Sequence, residues 1–199
     1  MAETARCFSN STHKRLIGII DKLNDTPWWA SRSHSIRLHR TTADYLQHLD
    51  LILSCSNSLM FIDPHLDPEK RGYRDFIKLI AATTKFGKQP RIEIHRVCYD
   101  GSGRNRTIIS VRDWEEIFRR NYEAELTRLT LKMEVYIWDD FHDRYLVSDL
   151  AGVLMPNGFD ISHNSNQLTT WSRLGRTQKD EVQREFDLSA RPQGHFVIP

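Results

Sequence analysis

The stretch WDDFHDRYLVSD, residues 138 to 149, holds His142, Arg144 and Asp149. A neutral imidazole can attack phosphorus and a charged one can donate a proton, because the unperturbed histidine pKa lies near neutrality. A guanidinium is planar, permanently charged and shaped to donate to phosphate oxygens. If the stretch is a strand, residues two apart share a face, so His142 and Arg144 project together while Asp143 and Tyr145 point the other way. Asp149 has the opposite parity and reaches the pair only through a bend after Ser148, where it would orient the imidazole or pair with the arginine. The same residues, with Asp139 and Asp140, also describe a surface charge network that contributes little stability. Spacing leaves both readings open.

Other candidates surround this stretch. Asp63 and His65 lie in FIDPHLDP, at the end of an apolar run, and ligand-facing residues in open sheets gather at strand ends. An Asp-Pro turn accounts for the same residues without function. Arg104 and Arg106 lie in the polar loop YDGSGRNRT, which either contacts phosphate or forms a solvated face; it lacks the Walker pattern. His163 in SHNSN is a weaker candidate. The remaining histidines, His13, His34, His39, His48, His95 and His195, show no H-x-x-x-H or Cys-His spacing, so no metal or other cofactor is expected.

The elements that must position these residues follow from periodicity. Leu16, Ile19, Ile20 and Leu23 predict an amphipathic helix over 14–24, closed by Asn24, Asp25 and Pro27. Trp28 and Trp29 follow it, as packing against the body or as a stacking platform. SIRLH reads as a strand. Thr41 with Asp44 starts a helix whose face carries Leu46, Leu49 and Leu53. SLMFID reads as a buried strand, after which Asp67 and Pro68 are expected to cap and open a helix bearing Tyr73, Phe76, Ile77 and Ile80.

RIEIHRVC alternates as a half-buried strand should. Ser110 with Asp113 opens a long helix with the stripe Trp114, Ile117, Phe118, Tyr122, Leu126 and Leu129. Leu131, Met133, Val135 and Ile137 alternate in the next strand. RYLVS, AGVLM and FDIS then read as hairpins, SHNSNQLTTWS as a loop followed by a charged stretch, and GHFVIP as a last strand. Alternating strands and helices predict an α/β class, a mixed sheet flanked by helices.

A length of 199 residues suits one domain with an extension. The expected division is an N-terminal helical extension over 1–35 and a domain over 36–199. With 39% hydrophobic and 27% charged residues the chain is too apolar for disorder. Its apolar runs are far shorter than the roughly 20 residues of a membrane span. The beginning of the sequence lacks the charged-then-apolar order of a secretory signal, so the expected compartment is the cytoplasm. Cys7, Cys55 and Cys98 are expected as reduced thiols, the latter two as core fillers. A net charge of +2 is too small for bulk attraction to nucleic acid.

His142-Asp-Arg144-Tyr-Leu-Val-Ser-Asp149 resembles the H-x-K-x-x-x-x-D motif of the phospholipase D superfamily, with arginine in place of lysine. FIDPHLDP, FHDRYLVSD and PNGFDIS occur in that order. They are similar to the phospholipase D-like domain at the C-terminus of MIT-domain trafficking proteins, and the resemblance covers roughly residues 36 to 170. It implies metal-independent chemistry in which one histidine forms a phospho-enzyme bond and another protonates the leaving oxygen. The chain carries one motif, so a working site is expected to be shared by a symmetric homodimer that brings two copies of His142 together.

The family's Gly-Ser-x-Asn element has no match, because Phe159 follows Gly158; Ser162, Asn164 and Asn166 are the nearest hydroxyl and amides to replace it. The expectation is a phosphodiesterase or nuclease, with nucleic acid ahead of phospholipid on the strength of the arginine-rich loops. Prokaryotic defence or a mobile element would suit it. The competing class is a catalytically inactive module that binds nucleic acid or phospholipid, or a subunit of a larger complex docked through the N-terminal helix and Trp28–Trp29.

Overall fold

The computed structural model describes residues 33–101, 103–162 and 164–199, together with the backbone of two short strands before them. Contacts divide the chain into Met1–His34 and Ser35–Pro199. In the first unit, β1 (Thr4–Arg6) pairs antiparallel with β2 (Ile17–Ile19). The helix expected over 14–24 is thus interrupted at its centre by a strand, in keeping with the β-branched residues and the glycine of Ile17-Gly18-Ile19. The rest of that segment, with Trp28 and Trp29, lies outside the described residues.

In the second unit the strands are β3 (Ser35–His39), β4 (Ser58–Ile62), β5 (Arg91–Val97), β6 (Tyr99–Asp100), β7 (Thr107–Ile108), β8 (Met133–Trp138), β9 (Tyr145–Ser148), β10 (Gly152–Leu154), β11 (Leu168–Arg173) and β12 (Gly194–Ile198). Eight of them form one mixed sheet in the order β12-β8-β5-β4-β9-β10-β11-β3, and β6 and β7 form a separate hairpin. β4 and β8 flank β5 in parallel; the other neighbours in the large sheet are antiparallel.

The helices are α1 (Thr42–Cys55), α2 (Phe76–Ala82), α3 (Val111–Leu129) and α4 (Arg176–Glu185). The α1 and α3 starts follow the expected chemistry. The Asp44 amide donates to Thr41 Oγ1 at 3.2 Å and the Asp113 amide to Ser110 Oγ at 3.1 Å. The fold is α/β, as the alternation of elements requires. Among the described residues no helix is long and apolar enough to cross a membrane.

Alternation along the strands divides the sheet into two packed faces. Leu59, Phe61, Ile92, Ile94, Val135 and Leu146 share one cluster with Leu49 and Leu53 of α1, Phe76 of α2 and Trp114 and Phe118 of α3. Ile62, Tyr145 and Val147 share the other with Leu174, Val182 and Phe186. Because the sheet is covered on both sides, β5 is not the half-buried strand that its alternation predicts. His95 and Arg96 are both fully buried, and Glu93 is paired with Arg91.

Asp67 does not cap a helix. Its carboxylate accepts from the Glu69 amide and its carbonyl from the Lys70 amide, a turn that delays α2 until Phe76. FDIS is not a strand: Phe159 anchors irregular chain into the core, in edge contact with Phe61 and Phe76. Part of the expected SHNSNQLTTWS loop is instead β11, and the charged stretch after it is α4. Cys98 is buried and Cys55 half-buried, both as free thiols.

Candidate functional site

β4 runs outward to Ile62 and leaves Asp63 just beyond its end. β9 runs antiparallel beside it, with Tyr145 opposite Ile62. That register brings Arg144, the residue before β9, against Asp63. The Asp63 carboxylate is fully buried. It accepts from the His65 amide at 3.0 Å, the Phe159 amide at 3.0 Å and the Tyr73 hydroxyl at 3.1 Å, and it lies 3.5 Å from Arg144 Nε. Burial raises its pKa, opposed by these donors and by the Arg144 charge.

The turn that delivers the Phe159 amide requires Gly158. Its φ is +60°, and a Cβ there would lie 2.0 Å from Asp63 Oδ2 and 2.9 Å from Arg144 Cδ.

The Arg144 guanidinium is held by more than this carboxylate. Nη1 donates to the carbonyls of His142 and Pro156, each at 3.3 Å. The side chain is one quarter exposed, and among the described residues Nη2 has no partner. His142 is exposed, and its segment is not part of β9, which begins at Tyr145. The expected alternation still holds on the other side, where the Tyr145 hydroxyl donates to Asp143 at 3.0 Å.

Two connections frame the pair. The first, after β4, carries His65 and Lys70. His65 is half-buried, and its pKa is lowered by burial first and then by the charges of Arg144, Lys70 and Arg96, which Asp100 partly offsets. Lys70 pairs with Asp100. The second is the β6–β7 hairpin. Arg106 stacks on Tyr99 with its guanidinium carbon 4.2 Å from the ring centroid, and it donates to Asp140 at 3.0 Å. The Tyr99 hydroxyl donates to the same carboxylate, whose pKa these two hydrogen bonds lower.

The other sequence candidates fall elsewhere. Asp149 lies at the opposite end of β9, where Oδ1 accepts from the Asn57 amide at 3.0 Å and Oδ2 from Asn57 Nδ2 at 2.9 Å. At roughly 3.3 Å per strand residue, β9 itself separates it from His142. It therefore neither orients the imidazole nor pairs with Arg144.

Ser162, Asn164 and Asn166 close a turn on themselves. The Asn164 amide donates to Ser162 Oγ at 3.1 Å and the Asn166 amide to Asn164 Oδ1 at 3.0 Å, so both acceptors are engaged within the turn. Arg104 is exposed on the 3-10 turn Gly103–Asn105 and makes no ion pair among the described residues. His163 lies outside them. Among the described residues no three His, Cys, Asp or Glu side chains converge in a way that would hold a metal ion.

Sequence reasoning did not single out Lys70 or Arg96, and it read Tyr73 as a helix face and Asp140 as part of a charge network rather than as groups of the site. Only Arg96 left a clear signal: it continues the Ile92, Ile94 parity and so had to point into the apolar face.

The molecule is thus an α/β protein with a buried carboxylate paired to a partly exposed guanidinium at one end of its sheet. No protein-family model matches the chain and no curated protein is similar to it. Among solved structures it is similar to Nuc, a phospholipase D family member from Salmonella typhimurium, at 9% identity over 79% of this chain and 95% of that one, with a TM-score of 0.47. It is also similar to phosphatidylserine synthase of Haemophilus influenzae Rd KW20, at 16% identity over 82% of this chain and 39% of that one, with a TM-score of 0.47. The third is the archaeal chromatin protein TrmBL2, described with a novel mode of DNA binding, at 10% identity over 81% of this chain and a TM-score of 0.43. This chain spans about half (54%) of TrmBL2.

Proposed function

We propose that residues 36–199 form a phospholipase D-like module that binds phosphodiesters at Arg144, with His142 and His65 beside it and nucleic acid ahead of phospholipid as ligand. The observation that carries this is the state of the Arg144 guanidinium. Asp63 and two carbonyls fix its plane, while among the described residues Nη2 has no partner and the side chain is one quarter exposed. A donor already held in place gives up little freedom when it meets a phosphate oxygen. Arg104, exposed on the nearby hairpin, supplies a second contact for a strand longer than one headgroup.

Hydrolysis is the second reading, favoured by the exposure of His142 and by the motif's likeness to metal-independent phosphodiesterases. In it, His142 attacks phosphorus and the partner's copy in a twofold dimer protonates the leaving oxygen, while Arg144 stabilises the transition-state charge. It ranks second because Asp149 is far from the imidazole and the Ser162 and Asn164 side-chain oxygens are engaged by amides of their own turn.

Labelled single- and double-stranded DNA, RNA and anionic phospholipid vesicles in EDTA separate the readings, with His142→Ala and Arg144→Lys beside the wild type. Binding to nucleic acid without cleavage, weakened about tenfold in Arg144→Lys, supports the module. Chelator-resistant cleavage lost in His142→Ala replaces it with the enzyme, and light scattering then reads the dimer. Absence of binding to every probe overturns both.

A further inference from the structure

Arg96 is 1% exposed, and no carboxylate among the described residues lies within ion-pair distance of it. A buried cation of this kind is expensive, and an apolar side chain of similar volume would fill the same space without that cost. What surrounds Arg96 instead is a set of carbonyls and an aromatic face. Nε donates to the Val97 carbonyl at 2.8 Å, Nη1 to Leu66 at 2.9 Å and Nη2 to Tyr99 at 3.0 Å. The guanidinium carbon lies 3.1 Å from the Trp114 ring centroid. The indole N–H in turn donates to the Cys98 carbonyl at 3.3 Å.

The carbonyls belong to the two connections that frame the site. Leu66 follows His65 directly. Tyr99 opens the β6–β7 hairpin, and its ring and hydroxyl hold Arg106 and Asp140. One planar group therefore joins the end of β5 to both connections, with three donors spread at fixed angles in a way that a flexible ammonium cannot reproduce.

We propose that Arg96 is the positioning residue of the site, a buried guanidinium that clamps the His65 connection to the base of the β6–β7 hairpin and so sets the spacing of the groups around Arg144. The proposal rests on anion binding at Arg144 for its functional consequence, but the clamp is testable without ligand. Arg96 also places a positive charge behind His65. The charged groups that act on that imidazole are Arg144, Lys70 and Arg96, which favour its neutral form, and Asp100, which opposes them.

The test uses Arg96→Lys and Arg96→Met in the full chain. Amide resonances of residues 64–70 and 99–106 and the His65 imidazole titration are followed by NMR, and affinity for a labelled single-stranded oligonucleotide is measured. Arg96→Lys keeps the charge and loses the bridging. It is expected to shift both sets of amides and weaken binding about tenfold while leaving the His65 titration near its wild-type position. Arg96→Met is expected to do the same and also to move the His65 titration upward.

Unchanged amides and affinity within twofold of wild type in both variants would overturn the clamp. If the wild type binds no oligonucleotide, the reading of the site fails, and the amides and titration still decide the clamp. Should neither variant fold, the wild-type Arg96 Nε–H decides it. Slow exchange with solvent supports three fixed hydrogen bonds; exchange as fast as that of exposed arginines overturns them.

Discussion

The two ends of β9 each present a carboxylate, and the two are used in opposite ways. At the Arg144 end, Asp63 is sealed from water; burial raises its pKa, and its carboxylate holds a guanidinium in place. At the Ser148 end, Asp149 lies on the rim. Burial pushes its pKa up, but the Asn57 and Ser58 donors together outweigh this and lower it. Asp149 therefore adds stability at neutral pH by tying the start of β4 to the end of β9. For Asp63 the sign is opposite: a carboxyl with a raised pKa disfavours folding as pH rises from 3.8 through its folded value.

The largest effect expected at the Arg144 end comes from Asp63→Ala. It strands the Tyr73 hydroxyl and the His65 and Phe159 amides, and it leaves Arg144 without its counter-ion. The expected loss is about 3 kcal/mol, the usual scale for breaking a buried pair. Urea unfolding measures it, and a change below about 1 kcal/mol would mean that the pair does not organise this end. Gly158→Ala comes next. The +60° φ and the 2.0 Å approach to Asp63 Oδ2 both oppose a methyl group, for an expected loss of about 2 kcal/mol. Because the clash falls on Asp63 and Arg144, oligonucleotide binding should weaken as well.

The sequence made the scaffold of both ends legible and their chemistry only partly so. Thr41, Asp44, Ser110 and Asp113 announce the starts of α1 and α3 through local hydrogen bonds, and the apolar parity of β4, β8 and β9 is local too. Asp63 and Arg144 are 81 residues apart, and their pairing depends on β4 and β9 being neighbours, which no local pattern encodes. Asp149 was misplaced for a related reason. A motif spaced over one strand suggests one site, whereas a four-residue strand carries its flanking residues to opposite ends of the strand. Arg96 shows the converse case: parity fixed its direction, but while the Val97 and Tyr99 carbonyls that receive it are close in sequence, the Leu66 carbonyl comes from a connection 30 residues away.

The smallest effects divide the two ends most cleanly. Asp149→Ala removes the acceptor of the Asn57 and Ser58 amides at a partly solvated edge, for an expected loss of about 1 kcal/mol. Phosphodiester binding should be unchanged, because β9 stands between this carboxylate and Arg144. The loss also has a sign in pH. The lowered pKa of Asp149 makes its contribution complete above 3.8, and the contribution disappears as pH falls through the folded value, so wild type and variant should converge in acid. His142→Ala is the mirror image. Its side chain is exposed and only its carbonyl serves Arg144, so stability should stay within about 0.5 kcal/mol while binding weakens. A variant at Asp149 that weakens binding as much as His142→Ala, with stability untouched, would join the two ends into one site and undo the contrast.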